Sequence, residues 1–386
     1  MIDETRMKQN LEMLTFPRLS GTEGEKKAFN IVKEKIENLN LEPSVQEFSF
    51  TTFYPLIYQK IVFLLTFWTL FLLYLYIAFM FTIINLIVIF AIFIPVLIIT
   101  RKPEKIRIGK KRESQNLFVK LLGSSENTIN EYDNMEQDNE RGNLLFLCHL
   151  DTKGQRLPMK FRVFFFELWI YSSICCVVIF ILRIFIFIQY AFWFLIIGAI
   201  PLSLNFIVTI ALCLNTNNNE SPGAIDNASG VVCVLELLHY YSDFKFRLNN
   251  YNLWFLFTGA EENGTIGARH LYNKVKHLDK AKTFMLNFDT IGRSIDVITD
   301  ERGEFFFRNT KDFTVTYHMP KRIRLSRSDA YIFADKGIGG FGVLDKQSFK
   351  YAHTKEDTID KVDVNLLKKL LTHITIMLKL VDKHTS

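Results

Sequence analysis

The sequence predicts an α/β protein with a mixed, mostly parallel central sheet flanked by helices and interrupted by two α-helical transmembrane hairpins. Three observations carry this expectation. Short apolar runs alternate with amphipathic helical patterns, as in sheets covered by helices. Two long apolar tracts, residues 61–99 with no charged side chain and 163–214 with only Glu167 and Arg183, each exceed the roughly 20 residues that cross a bilayer. Polar residues of metal-binding type recur where the short apolar runs stop.

In chain order, "GTEGEKKAFNIVKEKIENL" (21–39) reads as a helix with Ala28, Ile31, Val32, Lys35 and Ile36 along one side, and "VQEFSF" after it alternates as an edge strand. "NLFVKLLG" from Asn116 and "NLLFLCHLD" from Asn143 read as strands separated by the acidic, turn-rich segment 126–142; the second is nearly all apolar and is expected at the sheet centre. Beyond the second apolar tract, "ASGVVCVLELLHYY" is helical, "YNLWFLFTG" a strand, "TIGARHLYNKV" a helix and "TFMLNFDTIG" a strand. The chain closes with a helix at "SDAYIFADKG", a strand at "GGFGVLD" and an amphipathic helix from about Val364 to Leu380, with Leu366, Leu367, Leu370, Leu371, Ile374 and Leu378 at helical spacing. No internal repeat is visible, and no signal peptide opens the chain, because its first 50 residues are charged.

The 386 residues include 37 Phe, a high count for a purely soluble chain, and the apolar tracts account for the excess. The formal net charge of +6 comes from basic residues beside these tracts: Arg101, Lys102, Lys105, Arg107, Lys110, Lys111 and Arg112 after the first, and Lys153, Arg156, Lys160 and Arg162 before the second. Membrane flanks explain this charge better than a phosphate-binding face, and without a recognition motif no nucleic-acid partner is expected. As one helix, residues 61–99 would be about 58 Å long, nearly twice the roughly 30 Å hydrocarbon core, so each tract reads as a hairpin of two spans, the second with Arg183 at its far turn. Four spans make the chain an integral, multi-pass membrane protein with the lipid bilayer as a partner. The basic flanks place the polar segments in the cytoplasm by the positive-inside rule, and an odd number of cysteines, five, fits a reducing compartment. The expected organisation is a polar domain split into residues 1–55, 101–160 and 216–386, with hairpins at 56–100 and 161–215. Nothing in the sequence specifies an oligomeric state.

At the ends of the expected strands stand His149 and Asp151, Glu261 and Glu262, and Asp289; Asp226 precedes a helix and His353 lies in "YAHTKEDT". The carboxyl ends of strands in an open α/β sheet form the ligand crevice, and imidazoles with carboxylates suit borderline-soft divalent ions. Five motifs in order, "HLD", "GAIDNASG", "GAEENGTIGA", "NFDTIG" and "YAHTKEDT", resemble the co-catalytic di-zinc exopeptidases, the family of bacterial leucyl aminopeptidases, glutamate carboxypeptidase and glutaminyl cyclase. The resemblance implies the zinc exopeptidase fold and two Zn2+ per chain, with Asp226 bridging both, His149 and Asp289 completing one position, and Glu262 and His353 the other. It further implies Glu261 as general base and Asp151 as the residue that fixes the tautomer of His149. The chain departs from the family where the second apolar tract separates Asp151 from Asp226 and where the first interrupts the early strands.

The implied function is a membrane-bound, zinc-dependent aminopeptidase acting on peptide substrates. A catalytically silent scaffold of the same fold and a glutaminyl cyclase-type acyltransferase are the alternatives. All the implied ligand positions and that of the base are filled, which favours the peptidase. Asp357 reads as either a residue supporting the site or a polar turn before the last helix. The remaining histidines, His239, His270, His277, His318, His373 and His384, read as ordinary surface residues.

Overall fold

The computed structural model describes residues 1–75, 79–124, 141–185, 190–307, 313–317 and 328–384. The chain divides into two compact units, one of Met1–Phe50, Arg112–Gly154 and Asn218–Ser386, the other of Thr51–Lys111 and Gln155–Asn217.

The first unit opens with helices α1 (Glu4–Leu14) and α2 (Glu23–Glu37), where the sequence pattern showed only the second. Met7, Leu11 and Leu14 of α1 are buried at helical spacing, and Asp3 caps it by accepting from the Arg6 N–H. The strands are β1 (Ser44–Thr51), β2 (Lys111–Leu121), β3 (Gly142–His149), β4 (Tyr251–Thr258), β5 (Thr283–Phe288), β6 (Asp296–Thr299), β7 (Thr314–Tyr317) and β8 (Gly339–Leu344). They form one sheet in the order β1-β2-β4-β3-β5-β8-β6-β7. The β4–β3, β3–β5 and β5–β8 pairs are parallel, whereas β2–β4 and β8–β6 are antiparallel. The sheet is therefore mixed with a parallel centre, as expected, with β1 at an edge and β3 inside. Strands β6 and β7 extend it beyond the pattern read from sequence; four residues each are too few for an alternation to register. The segment 126–142 lies almost wholly outside the described residues.

Every residue of β3 is buried, because both faces of the sheet are covered. Leu144, Phe146 and Cys148 face a core shared with α1, α2, α7 (Ser229–Ser242) and α10 (Val364–His384). Leu145 and Leu147 point the other way, against α8 (Ile266–Val275) and α9 (Asp329–Asp335). Helix α10 buries Leu367, Leu370, Leu371, Ile374 and Leu378, the stripe its periodicity predicted.

The second unit consists of the apolar helices α3 (Gln59–Leu75), preceded by a wide turn at Tyr54–Tyr58, α4 (Phe79–Thr100), α5 (Met159–Phe185) and α6 (Ala191–Cys213). The segments Tyr54–Leu75, Thr82–Thr100, Met159–Arg183 and Phe192–Cys213, 19 to 25 residues each, have membrane-spanning length and composition, and a third or less of each apolar window is buried within the protein. Helices α5 and α6 are joined internally by polar bonds: the Asn205 amide donates to the hydroxyls of Ser172 and Ser173, each at 2.9 Å, and to the Trp169 carbonyl. Arg183, in the last turn of α5, donates to the Tyr74 carbonyl at 2.6 Å. The five cysteines carry free thiols.

Candidate metal centre

The chain leaves β3 through His149, Leu150 and Asp151. The His149 Nδ1 lies 3.0 Å from the carbonyl oxygen of Asp151; since a carbonyl only accepts, this contact keeps the proton on Nδ1 and turns Nε2 into the site. The Asp151 carboxylate sits 3.6 Å from Nδ1 and holds other groups: it accepts the backbone N–H groups of Glu261 and Glu262, at 3.0 and 3.1 Å, and the Ser20 hydroxyl at 2.5 Å. Asp151 therefore orients His149 through its main chain and the Glu261–Glu262 turn through its side chain.

Asp226 enters on a loop that only glycine can make. Gly223 has φ +67°, and a Cβ there would lie 2.1 Å from Thr152 Cγ2. The buried Asp357 carboxylate accepts from the Ile225 and Asp226 N–H groups at 2.5 and 3.2 Å, giving it the supporting role left open by the sequence. Burial, with the Asp226 charge beside it, pushes the Asp357 carboxyl up to about 7. At the start of α7, Asn227 donates to the Phe288 carbonyl and accepts from Gly230, and a Cβ on Gly230 would lie 2.3 Å from that carbonyl. This close approach packs the Asp226 loop against the end of β5, where Asp289 follows. Ala260, Thr290 and His353 adopt left-handed backbone with φ of 52°, 59° and 63°; each adjoins or is a site residue, the pattern of local strain collected at a functional site.

These elements bring the five expected ligands together in two triads, His149, Asp226 and Asp289, and Asp226, Glu262 and His353. His149 Nε2 is 3.3 Å from both Asp226 Oδ1 and Asp289 Oδ1. His353 Nε2 is 3.1 Å from Asp226 Oδ2 and 2.8 Å from Glu262 Oε1. Metal–ligand bonds of about 2.0–2.2 Å in tetrahedral array put neighbouring donor atoms about 3.3–3.6 Å apart, so the His–carboxylate contacts of the first triad have the spacing of a zinc position and those of the second are slightly closer. Asp226 gives one oxygen to each triad. The donor set, two imidazoles and three carboxylates, fits zinc, and these residues would hold it.

Electrostatics follow from burial. Although desolvation opposes it, hydrogen bonds from His149 and His353 hold the Asp226 carboxyl far below the usual range. Burial drives Glu261 the opposite way, well above the carboxylate range, with His149 opposing and Glu262, Asp329 and Asp289 adding to the rise. Glu261 belongs to neither triad. Asp329, at the start of α9, is buried, takes a hydrogen bond from the Thr258 hydroxyl, and is pushed up to about 7 by burial.

Three supporting residues carry no signal in the sequence. Glu25 is buried and accepts from the Gly21 and Ala260 N–H groups and the Ser114 hydroxyl, tying α2 to the turn that carries Glu261. Lys153, counted among the membrane flanks, turns inward and places Nζ 2.6 Å from Glu262 Oε2. Arg18 is fully buried, and among the described residues its guanidinium donates to backbone carbonyls alone: Leu150 at 2.8 Å, Pro222 at 3.0 Å, Gly223 at 3.1 Å, Phe16 at 3.1 Å, and Leu14. It stays charged, although burial draws it down to about 10. Arg18 thus ties the exit of β3 to the entry of the Asp226 loop. Arg18→Met would orphan several buried carbonyls and should cost about 3–5 kcal/mol, read as a lower thermal midpoint of the purified protein; an unchanged midpoint would remove Arg18 from this role.

Of the other histidines, His270 stacks on Phe48 with centroids 4.7 Å apart and His373 bonds the Phe306 carbonyl at 2.7 Å, so these two serve packing. His318 lies outside the described residues.

Residues 208–377 match the family model described as peptidase family M28. Among solved structures, the fold resembles an aminopeptidase from Aneurinibacillus sp. strain AM-1 (14% identity, 98% of this chain and 93% of that one, TM-score 0.57). It also resembles a zinc aminopeptidase from Bacillus subtilis (12% identity, 99% and 96%, TM-score 0.55). A Fimbriiglobus ruber glutaminyl cyclase is similar too (14% identity, 98% and 95%, TM-score 0.53). A probable zinc metalloprotease of Pyrenophora teres f. teres is 33% identical over 75 residues, a stretch covering 19% of this chain and only 16% of that relative. The resemblance read from the five motifs, and the zinc exopeptidase fold it implies, are borne out.

Proposed function

We propose that this chain is a zinc metallopeptidase of the M28 type and, within that class, a membrane-bound aminopeptidase that removes N-terminal residues from peptides. The observation that carries the reading is Asp226, whose two carboxylate oxygens face separate His-carboxylate triads. When bound there, a pair of zinc ions supplies Lewis-acid polarisation and an acidified water. Glu261, buried beside the triads and outside both, takes the proton of the attacking water and hands it to the leaving amine. Asp151 holds Glu261 in place through its N–H, and Asp357 does the same for Asp226.

Membrane anchoring rests on the four apolar helices, whose outward side chains, such as Ile87 at 62% and Ile200 at 71% exposure, form a surface that water does not tolerate. The polar unit draws its strands from both sides of each apolar insert into one sheet, so each insert must return the chain to the side it left. With the basic flanks on that side, the peptidase domain (residues 1–55, 101–160 and 216–386) faces the cytoplasm and the hairpins 56–100 and 161–215 cross the bilayer. In sealed vesicles of known orientation, added protease should cut the polar unit only when the cytoplasmic face is outside; cutting from the opposite face would reverse the topology.

The activity is tested with detergent-solubilised whole chain on a panel of peptides, each free and N-acetylated. Release of the first residue from the free peptides alone supports an aminopeptidase. Cyclisation of N-terminal glutamine without hydrolysis would support the cyclase reading, and inactivity of fully metal-loaded protein a silent scaffold.

A further inference from the structure

The two triads are not alike. Asp289 Oδ1 accepts from a neutral donor, the Thr290 hydroxyl, at 2.9 Å. Around Glu262 stands an ammonium: Lys153 Nζ donates to Oε2 at 2.6 Å, and the side chains are only 11% and 6% exposed. Among the described residues, Lys153 is the one Lys or Arg that pairs with any of the five expected ligands. Its backbone is set by a short link to the N-terminal segment, where the preceding Thr152 N–H donates to the Arg18 carbonyl and the Thr152 hydroxyl accepts from the Arg18 N–H. The main chain that carries the ammonium to Glu262 is therefore held by the same contacts that build the site.

We propose that Lys153 makes the two metal positions unequal. By occupying Oε2 of Glu262, it leaves that carboxylate only Oε1, 2.8 Å from His353 Nε2, to offer a cation, and it sets a positive charge next to a second one. The position formed by Asp226, Glu262 and His353 then binds a divalent ion more weakly than the position formed by His149, Asp226 and Asp289. Removing a hydrogen bond to a ligand usually weakens metal binding by about 10–100-fold. That loss is small here, because Glu262 is already held through its N–H by Asp151 and the removed partner is itself a buried cation whose repulsion of the metal is poorly screened. Taking away the charge should therefore tighten the position. The consequence is a built order of filling, with the His149 position loaded first and the His353 position responding to the available metal concentration. The inference rests on the two-metal reading of the site.

The test uses the whole chain in detergent, stripped of metal and titrated with zinc against a chelator of known affinity. The wild-type protein should bind two ions with dissociation constants at least about tenfold apart. Lys153→Met should tighten the weaker constant about tenfold or more and close the gap, Lys153→Gln should act in the same direction, and Lys153→Arg should keep the gap. In a His353→Gln background, where the His149 position alone remains, Lys153→Met should change nothing. Equal constants in the wild type, or a weaker second constant in Lys153→Met and Lys153→Gln, would overturn the proposal. Saturation at one ion in the wild type would instead overturn the two-metal reading beneath it.

Discussion

Asp226→Ala is expected to abolish metal binding at both triads and, with it, the proposed peptidase activity. The reason is that a single carboxylate closes both triads: Oδ1 lies 3.3 Å from His149 Nε2 and Oδ2 3.1 Å from His353 Nε2. Without it each position keeps one imidazole and one carboxylate, fewer than the three protein ligands a catalytic zinc position requires. Elemental analysis of the purified variant should find no zinc, with the fold checked by its circular dichroism. A variant that retained one tightly held ion would mean that one triad is complete without Asp226 and that the sharing has been misassigned.

Glu261→Gln should have the opposite pattern. Glu261 adjoins a ligand but stands outside both triads, and its N–H rather than its carboxylate makes the contact with Asp151. The amide keeps the shape of the side chain and cannot take a proton, so turnover should fall by about two to four orders of magnitude while metal content and thermal midpoint stay unchanged. Burial raises the Glu261 carboxyl well above its usual range, which favours its taking up the proton of the attacking water. Loss of metal in this variant would exchange the roles of Glu261 and Glu262.

The sequence made the site legible because its chemistry is local. His149, Glu262 and Asp289 follow apolar strands, as in "LLFLCHLD" and "FMLNFDT", and the five motifs keep one order along the chain. The apolar tracts were equally plain, since residues 61–99 run without a single charge. What stayed hidden depends on contacts between distant segments. Arg18 gains its role from carbonyls at 222 and 223, and Glu25 from the N–H of Ala260. No spacing in "FPRLSGTEGE" marks them. Lys153 stands in a basic flank by sequence, yet its position two residues past Asp151 decides its surroundings. Strands β6 and β7 owe their place to pairing with β8 and with each other rather than to any pattern of their own. Helix α1 differs, for the spacing of Met7, Leu11 and Leu14 is visible and only the polar residues between them obscure it.

The paired centre is tested most directly by the zinc content of the wild-type chain, purified whole in detergent and measured by elemental analysis after equilibration with a slight excess of zinc and removal of unbound ion. Two zinc ions per chain are predicted, one for each triad sharing Asp226. A saturated content of one ion, or none, would contradict the paired centre on which the proposed aminopeptidase rests.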